Sequence, residues 1–355
     1  MNCLFPDPRQ TPIKTSRGRP GYHPVRKEGK MKFLCFGMAV CDYILSGVPA
    51  DILSINGASI SGLNVSAGGD ALNVAIGVTR LGNQAAIVGR VGRDASAEFL
   101  RERCRTEGVD GSGLVTDKDY PTSTSFVLLD RSGERHFLFE NRIYANYSEE
   151  MVLEKWLRDA DCVYFGSALT FPSLDQGGIA KLFARAKKLG KTTAMDAALH
   201  GQKYDPRRLD AFRPALEATD IFFPSLAEIE VFTDTQNPYK AAEIFRDTGV
   251  KILGIKLGNK GAYVTDFSEE RIVPPRKSGN VVDTTGAGDA FFAGFLSARM
   301  NGFSPFESVE IGNITASRAI EAIGATAGIP SFDRAVAEAT AFYRKSSPAT
   351  PEADP

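Results

Sequence analysis

The chain lacks a surplus of either charge. Its 42 lysines and arginines face 43 aspartates and glutamates, a formal net charge of −1 over 355 residues. A protein built to hold nucleic acid normally carries a basic surplus, so that class is set aside. No apolar run is long enough to cross a bilayer, which excludes a transmembrane helix and gives no reason to expect a membrane partner. Cysteine is scarce: Cys3, Cys35, Cys41, Cys104 and Cys162 are scattered, odd in number and free of any CxxC spacing. They read as free thiols of a cytoplasmic protein, with no zinc site. Two common phosphate motifs are also missing. Gly190-Lys191-Thr192 could end a P-loop, but Arg185 stands where the first glycine belongs. Gly286 and Gly288 could open a dinucleotide fingerprint, but Phe291 stands where the third glycine belongs.

What is present is an ordinary globular composition, 43% hydrophobic and 24% charged, enough for a sizeable core. The length suits one large α/β domain or two modest ones. Residues 1–30 are basic and proline-bearing, with Arg17, Arg19, Arg26 and Lys27, and have no apolar stretch of the kind a secretory signal needs. They read as a disordered extension, or the product of an upstream start codon, before a domain that starts at Met31, with a basic targeting arm as the alternative. The tail 346–355 (SPATPEADP and its preceding serine) is also compositionally disordered.

From Met31 the pattern alternates. KFLCFGMAV, AAIVGRVG, CVYFGSAL, TTAMDAAL, DIFFPS and KILGIKL read as buried strands, and helical stretches lie between them. In one of these, Ile179, Leu182, Phe183 and Ala186 share a face and Gly190 supplies the stop. Strand–helix alternation with near-continuous apolar strands implies a parallel sheet covered on both faces. Two stretches, about 48–65 and 122–139, alternate as strands without helices between them, and RSGER reads as a hairpin turn. They predict a small separate β-sheet.

The decisive segment is VVDTTGAGDAFFAGFLSARM, residues 281–300. It reads as a short strand ending at Asp283, a turn through Gly286, Ala287 and Gly288, then Asp289 and an apolar helix. Glycines let successive N–H groups converge into an anion nest, and a helix N-terminus adds partial positive charge there. An acid in an anion nest has an obvious task, to take the proton of an incoming hydroxyl. The plainer alternative is that Asp289 merely caps the helix.

DTTGAGDAFFAGF resembles the C-terminal signature of the ribokinase (PfkB) family of carbohydrate kinases, and AGGDALNVAIGVTRLG, residues 67–82, resembles its N-terminal signature. GRVGRDASAEFLRERCRTEGVD, GERHF and IKLGNKGAYV resemble other family segments, so the likeness runs in family order from about Lys32 to Phe332. The resemblance implies a three-layer α/β/α domain over 31–345, with a mostly parallel central sheet and a small β-sheet lid. It implies transfer of the γ-phosphoryl of ATP to a sugar hydroxyl, with Asp289 as general base and the amides of Gly286, Ala287 and Gly288 as anion hole. Asp42, at the end of the first strand, and Gly69, Asp70 and Asn73 would contact the sugar. Lys256, Gly258, Asn259 and Gly261 would form the phosphate and ribose loop. In PSLAE, Glu228 would organise Mg²⁺, while Ser225 replaces the family's amide at the nucleotide. Asp283 would sit at a monovalent-cation site such as one for K⁺, or serve as a structural cap. Val127 and Leu129 alternate with Phe126 and Leu128, so both faces of the hairpin are apolar; one can close over the sugar and the other needs a cover, which agrees with the family's habit and predicts a homodimer joined lid to lid, with Val127 in the contact and a monomer whose lid lies on its own domain as the alternative.

The acceptor is open. GGDALN with GERHF resembles 2-keto-3-deoxygluconate kinases and fructokinase-like relatives. Against a sugar acid, Asn141 occupies the slot where an arginine is expected, and Arg142 would face the other way on a strand. The string Asp196-Ala197-Ala198-Leu199-His200 also departs from a D-x-N-x-R pattern, and His200 reads as surface or pocket lining. A nucleoside kinase, with Phe139 and Tyr144 as stacking candidates, and a catalytically silent sugar or nucleotide sensor are the rival readings.

Overall fold

The structure is a computed structural model that describes residues 29–131, 134–199 and 201–345, the side chains of residues 344 and 345 excepted. The expectations for residues 1–28, for Ser132 and Gly133 of the hairpin turn, for His200 and for the tail beyond Lys345 lie outside these residues, as does Cys3.

In chain order the elements are β1 (Lys32–Phe36), β2 (Val40–Val48), β3 (Gly62–Gly68), α1 (Asp70–Arg80), β4 (Gln84–Val91), α2 (Ala95–Glu107), β5 (Asp110–Thr116), β6 (Thr124–Asp130) and β7 (Arg135–Glu140). Then follow α3 (Glu154–Asp159), β8 (Cys162–Ala168), α4 (Ile179–Lys188), β9 (Thr192–Ala197), α5 (Arg208–Glu217), β10 (Ile221–Phe222), α6 (Leu226–Thr233) and α7 (Pro238–Phe245). The chain closes with β11 (Ile252–Lys256), β12 (Ala262–Thr265), β13 (Glu270–Val273), α8 (Ala287–Met300), α9 (Pro305–Ala319) and α10 (Phe332–Lys345).

The described residues form a nine-stranded sheet in the order β13-β12-β11-β10-β9-β8-β1-β4-β5, parallel except for β12 and β13. Its strands read as unbroken apolar runs because both faces are covered. In β1, Phe33 and Cys35 point into one core with α1, α8 and α9, while Leu34 and Phe36 point into the other with α4 and α7. Helix α4 buries Ile179, Leu182, Phe183 and Ala186, and the chain turns at Gly190 in the left-handed region (φ 71°). Cys35, Cys41, Cys104 and Cys162 are free and buried. Among the described residues no helix is long and apolar enough to cross a membrane.

A second sheet, β3-β2-β6-β7, stands apart. It begins earlier than the sequence pattern indicates. KFLCFGMAV is not one strand: β1 ends at Phe36, and β2 starts the small sheet at Val40. Asp42 therefore lies within the small sheet rather than at the end of the first strand. Strand β7 stops at Glu140, so Arg142 lies in a 3₁₀ turn, where its guanidinium pairs with Glu140 at 2.9 Å. The strand-parity argument about Arg142 falls with that. The segment 281–283 is no strand either: the N–H groups of Val282 and Asp283 bond to Ile320 O at the end of α9.

Candidate active site

The polar groups converge at the carboxyl ends of the central parallel strands, where an open α/β sheet leaves a crevice. Gly286 is the residue just before α8, and its φ of 69° suits glycine. A Cβ there would meet Ala325 Cβ at 2.3 Å, so this turn admits no side chain. Asp289 follows in the first turn. Its carboxylate caps nothing in α8 and instead accepts from Asn73 Nδ2 at 2.8 Å. Asn73 is one turn into α1, so the two sequence signatures meet through this hydrogen bond. Burial, followed by the repulsion of Asp70, pushes Asp289 well above the usual carboxylate range, and the Asn73 bond and Lys256 offset only part of this.

Asp70 opens α1 and accepts from the hydroxyl of Ser167, just beyond the middle of β8's carboxyl half. Burial raises its pKa too. Ser167 adopts φ 68° and Leu169 φ 82°, conformations that cost energy outside glycine and that gather at functional sites. Lys256, the last residue of β11, donates to Asp196 Oδ2 at 2.6 Å; the two side chains are 17% and 2% exposed. Burial alone would lower this lysine's pKa, but Asp196, Glu228 and Asp289 together hold it above its ordinary value. Four carboxylates, Asp70, Asp196, Glu228 and Asp289, thus share one lysine. Asn73 Oδ1 and the Tyr164 hydroxyl are buried here without a hydrogen-bond partner, and Asp196, Asp70 and Asp289 are the charges that act on Tyr164.

Ser225 and Glu228 form a reciprocal capping box at the start of α6. Ser225 Oγ accepts from Glu228 N at 3.3 Å, and Glu228 Oε2 accepts from Ser225 N at 2.5 Å. One oxygen of Glu228 is thereby committed to the helix end. Gly258 and Asn259 lie on an exposed 3₁₀ turn past Lys256, and Gly261 closes that turn at φ 91°.

In the small sheet, Asp42 pairs in register with Ser66 and Ser125, and Ser125 with Phe139. One face therefore carries Asp42, Val127, Arg135, Phe137 and Phe139; the other carries Tyr43, Phe126 and Leu138. A Cβ on Gly68 would come within 2.1 Å of Asp42 Oδ2, so the missing side chain makes room for this carboxylate. Burial, partly offset by Ser125, raises Asp42 to about 7. Asp42 and Asp70 both bear electrostatically on Tyr144, so both carboxylates lie near that ring. Tyr144 itself is buried and bonded to Ser123 Oγ at 2.8 Å, so it is core and offers no stacking surface.

Asp283 is fully engaged. Its Oδ1 accepts from Thr285 N at 3.0 Å and from Arg135 Nη2 at 3.3 Å, and its Oδ2 accepts from Gly324 N at 3.0 Å. Burial opposes ionisation, but these bonds prevail and lower its pKa. The sequence reading did not single out Asp196, Ser167, Tyr164 or Arg135 for a role. Asp196 does carry a signal, as an acid inside the apolar run TTAMDAAL.

Comparison with known proteins agrees with this picture. The family model described as pfkB family carbohydrate kinase matches residues 34–331. An uncharacterised sugar kinase of Archaeoglobus fulgidus is 31% identical over 255 residues, covering 72% of this chain and 98% of that protein. A probable chloroplastic fructokinase of Arabidopsis thaliana is 31% identical over 293 residues, covering 78% of this chain and 72% of its own. The solved structure of Arabidopsis thaliana ribokinase complexed with ribose and ATP superposes with a TM-score of 0.74 at 22% identity, covering 88% of this chain and 99% of that one, a likeness of fold. The chain belongs to the pfkB family and is a carbohydrate kinase with the ribokinase-like α/β fold.

Proposed function

We propose that this kinase transfers the γ-phosphoryl group of ATP to a hydroxyl of a sugar or sugar-like alcohol, with Asp289 as general base. The observation that carries the reading is the carboxylate of Asp289, seated behind the Gly286 turn, oriented by Asn73 and more basic than an ordinary aspartate. Raised basicity suits a group that must accept a proton near neutral pH. Asp289 takes the proton of the acceptor hydroxyl while that oxygen bonds to the γ-phosphorus and the bond to the departing ADP oxygen breaks. The amides of Gly286, Ala287 and Gly288, at the N-terminus of α8, face the charge that develops on the transferring group. Asp42, Gly69, Asp70 and Asn73 hold the acceptor. Lys256, with Gly258, Asn259, Gly261 and Ser225, meets the nucleotide.

Magnesium fits the residues present. Asp70, Asp196, Glu228 and Asp289 outnumber their one lysine, and Asn73 Oδ1 lacks a partner. All are hard oxygen donors. Glu228 would hold the ion or its waters through the oxygen that Ser225 leaves unused, and the ion would offset charge on the phosphates of ATP. A monovalent cation at Asp283 would compete with the Arg135 guanidinium, which already donates to Oδ1 at 3.3 Å.

The nucleoside reading retains one supporting observation. Phe137 and Phe139 stack at 5.8 Å and 7° on the face that carries Asp42 and are 49% and 55% exposed, a surface that suits a flat ring. Turnover of MgATP by the full chain against a panel of sugars and nucleosides decides. Magnesium-dependent product with a sugar is expected; product with nucleosides alone would replace that acceptor, and none with any would sink the proposal.

For assembly we infer a dimer through the opposite face, where Leu63, Phe126 and Leu138 are 62%, 40% and 59% exposed. An apolar sheet face of this kind needs a cover, and a second copy supplies one. Val127 lies on the Asp42 face, so the test substitution is Leu138→Asp. Sedimentation equilibrium should show dimer for the wild type and monomer for the variant; a monomeric wild type would refute it.

A further inference from the structure

Arg135 opens β7 and points from the Asp42 face of the small sheet toward the turn before α8. It donates from Nη1 to Thr285 Oγ1 at 3.1 Å and from Nη2 to Asp283 Oδ1 at 3.3 Å. Thr285 immediately precedes Gly286, the first residue of the phosphate cradle. Asp283, in turn, grips the backbone of Thr285 and of Gly324. Gly324 neighbours Ala325, the residue against which Gly286 packs. One carboxylate thus fastens both sides of the cradle, and the cation it faces comes from the other sheet. The Arg135 side chain is 39% exposed, so the ion pair adds little to folding stability. What it fixes is geometry: the small sheet reaches the nest through this contact.

We propose that Arg135 is a positioning residue for phosphoryl transfer. It couples the seating of the small sheet to the order of the Gly286–Gly288 turn, and it supplies from within the chain the positive charge that Asp283 faces. The claim rests on the reading of that turn as a phosphate cradle. It predicts turnover independent of the monovalent cation, because a guanidinium already pairs with Asp283. Placement within a few tenths of an ångström matters for preorganised donors, so loss of the guanidinium acts on kcat more than on ATP binding.

The test joins hydrogen exchange with kinetics on the full chain, comparing wild type, Arg135→Gln and Arg135→Lys. Amides of residues 283–288 should exchange about fivefold faster or more in Arg135→Gln and near the wild-type rate in Arg135→Lys, with the rest of the large-sheet domain unchanged. In the same order, kcat should fall about tenfold and recover in part, while the KM for ATP stays within about twofold. Replacing K⁺ and Na⁺ by tetramethylammonium should leave wild-type kcat within about twofold. Wild-type exchange at 283–288 in Arg135→Gln overturns the proposal, as does faster exchange spread evenly over the chain. Strong activation of the wild type by K⁺ overturns the in-chain charge. The exchange readout needs no turnover, so it stands even if the assigned acceptor proves wrong.

Discussion

The two sheets solve different problems with similar residues. In the large sheet, Phe33, Cys35, Leu34 and Phe36 alternate between two cores and are all buried. In the small sheet, Leu63, Phe137, Leu138 and Phe139 remain 49–62% exposed. Apolar side chains on the first hold geometry; on the second they form exposed surface. The polar groups divide the same way. Asp289, Asn73, Asp196 and Lys256 are fixed by rigid elements of the main domain, whereas Asp42 and Arg135 arrive from the small sheet. We read this as a partial division: the main domain carries the transfer and, through Gly69, Asp70 and Asn73, one side of the acceptor site, while the small sheet adds Asp42 to that site.

That division can be broken by substitution. The largest effect belongs to the main domain: Asp289→Asn should lower kcat by about 10²–10⁴, measured by coupled ADP release. A loss below threefold would make Asp289 a structural residue. Next comes the small sheet, where Asp42→Ala should raise the acceptor KM about tenfold or more, the cost of one bond to a charged group, and leave the KM for ATP nearly unchanged. Because Asp42 titrates at about 7, acceptor binding should weaken as pH falls through 7 and its carboxylate is protonated. The stability effect has the opposite sign. The folded state holds this proton more tightly than the unfolded chain, so stability attributable to Asp42 declines as pH rises from about 4 through 7. Thermal melts of Asp42→Asn should lack that decline; an identical pH dependence of the melts would refute it.

The smallest effect separates two copies of one local motif. Ser225–Glu228 caps α6 and Ser304–Glu307 caps α9 with the same reciprocal bonds. Glutamine can serve in either box, so both Glu→Gln variants should fold. Glu228→Gln should raise the Mg²⁺ concentration for half-maximal rate about fivefold, and Glu307→Gln should leave it unchanged. Equal responses would remove Glu228 from the metal.

Much of the large sheet was legible because burial on both faces writes a continuous apolar run, and α4 because its four core residues fall at helical spacing. The break between Phe36 and Val40 was not legible, since KFLCFGMAV stays apolar across the passage from one sheet to the other. The end of β7 at Glu140 depends on the turn that follows and leaves no clear mark on alternation. At the candidate site, the glycine turn and Asp289 stood out through composition. The Asn73–Asp289 bond spans 216 residues, and the Arg135–Asp283 contact 148; no local pattern encodes either. Ser225 reads in the sequence as a shortened nucleotide contact; that its hydroxyl and Glu228 also complete a helix cap was not legible there.

The central claim, that the transfer chemistry centres on Asp289 of the main domain while Asp42 of the small sheet serves acceptor binding, is tested most directly by calorimetric binding of MgATP and acceptor to Asp289→Asn and Asp42→Asn. The account predicts that Asp289→Asn, though inactive, binds MgATP at least as tightly as the wild type and the acceptor within about threefold. It predicts that Asp42→Asn keeps MgATP affinity and loses about tenfold or more for the acceptor. Loss of acceptor binding in Asp289→Asn with wild-type acceptor affinity in Asp42→Asn would contradict it.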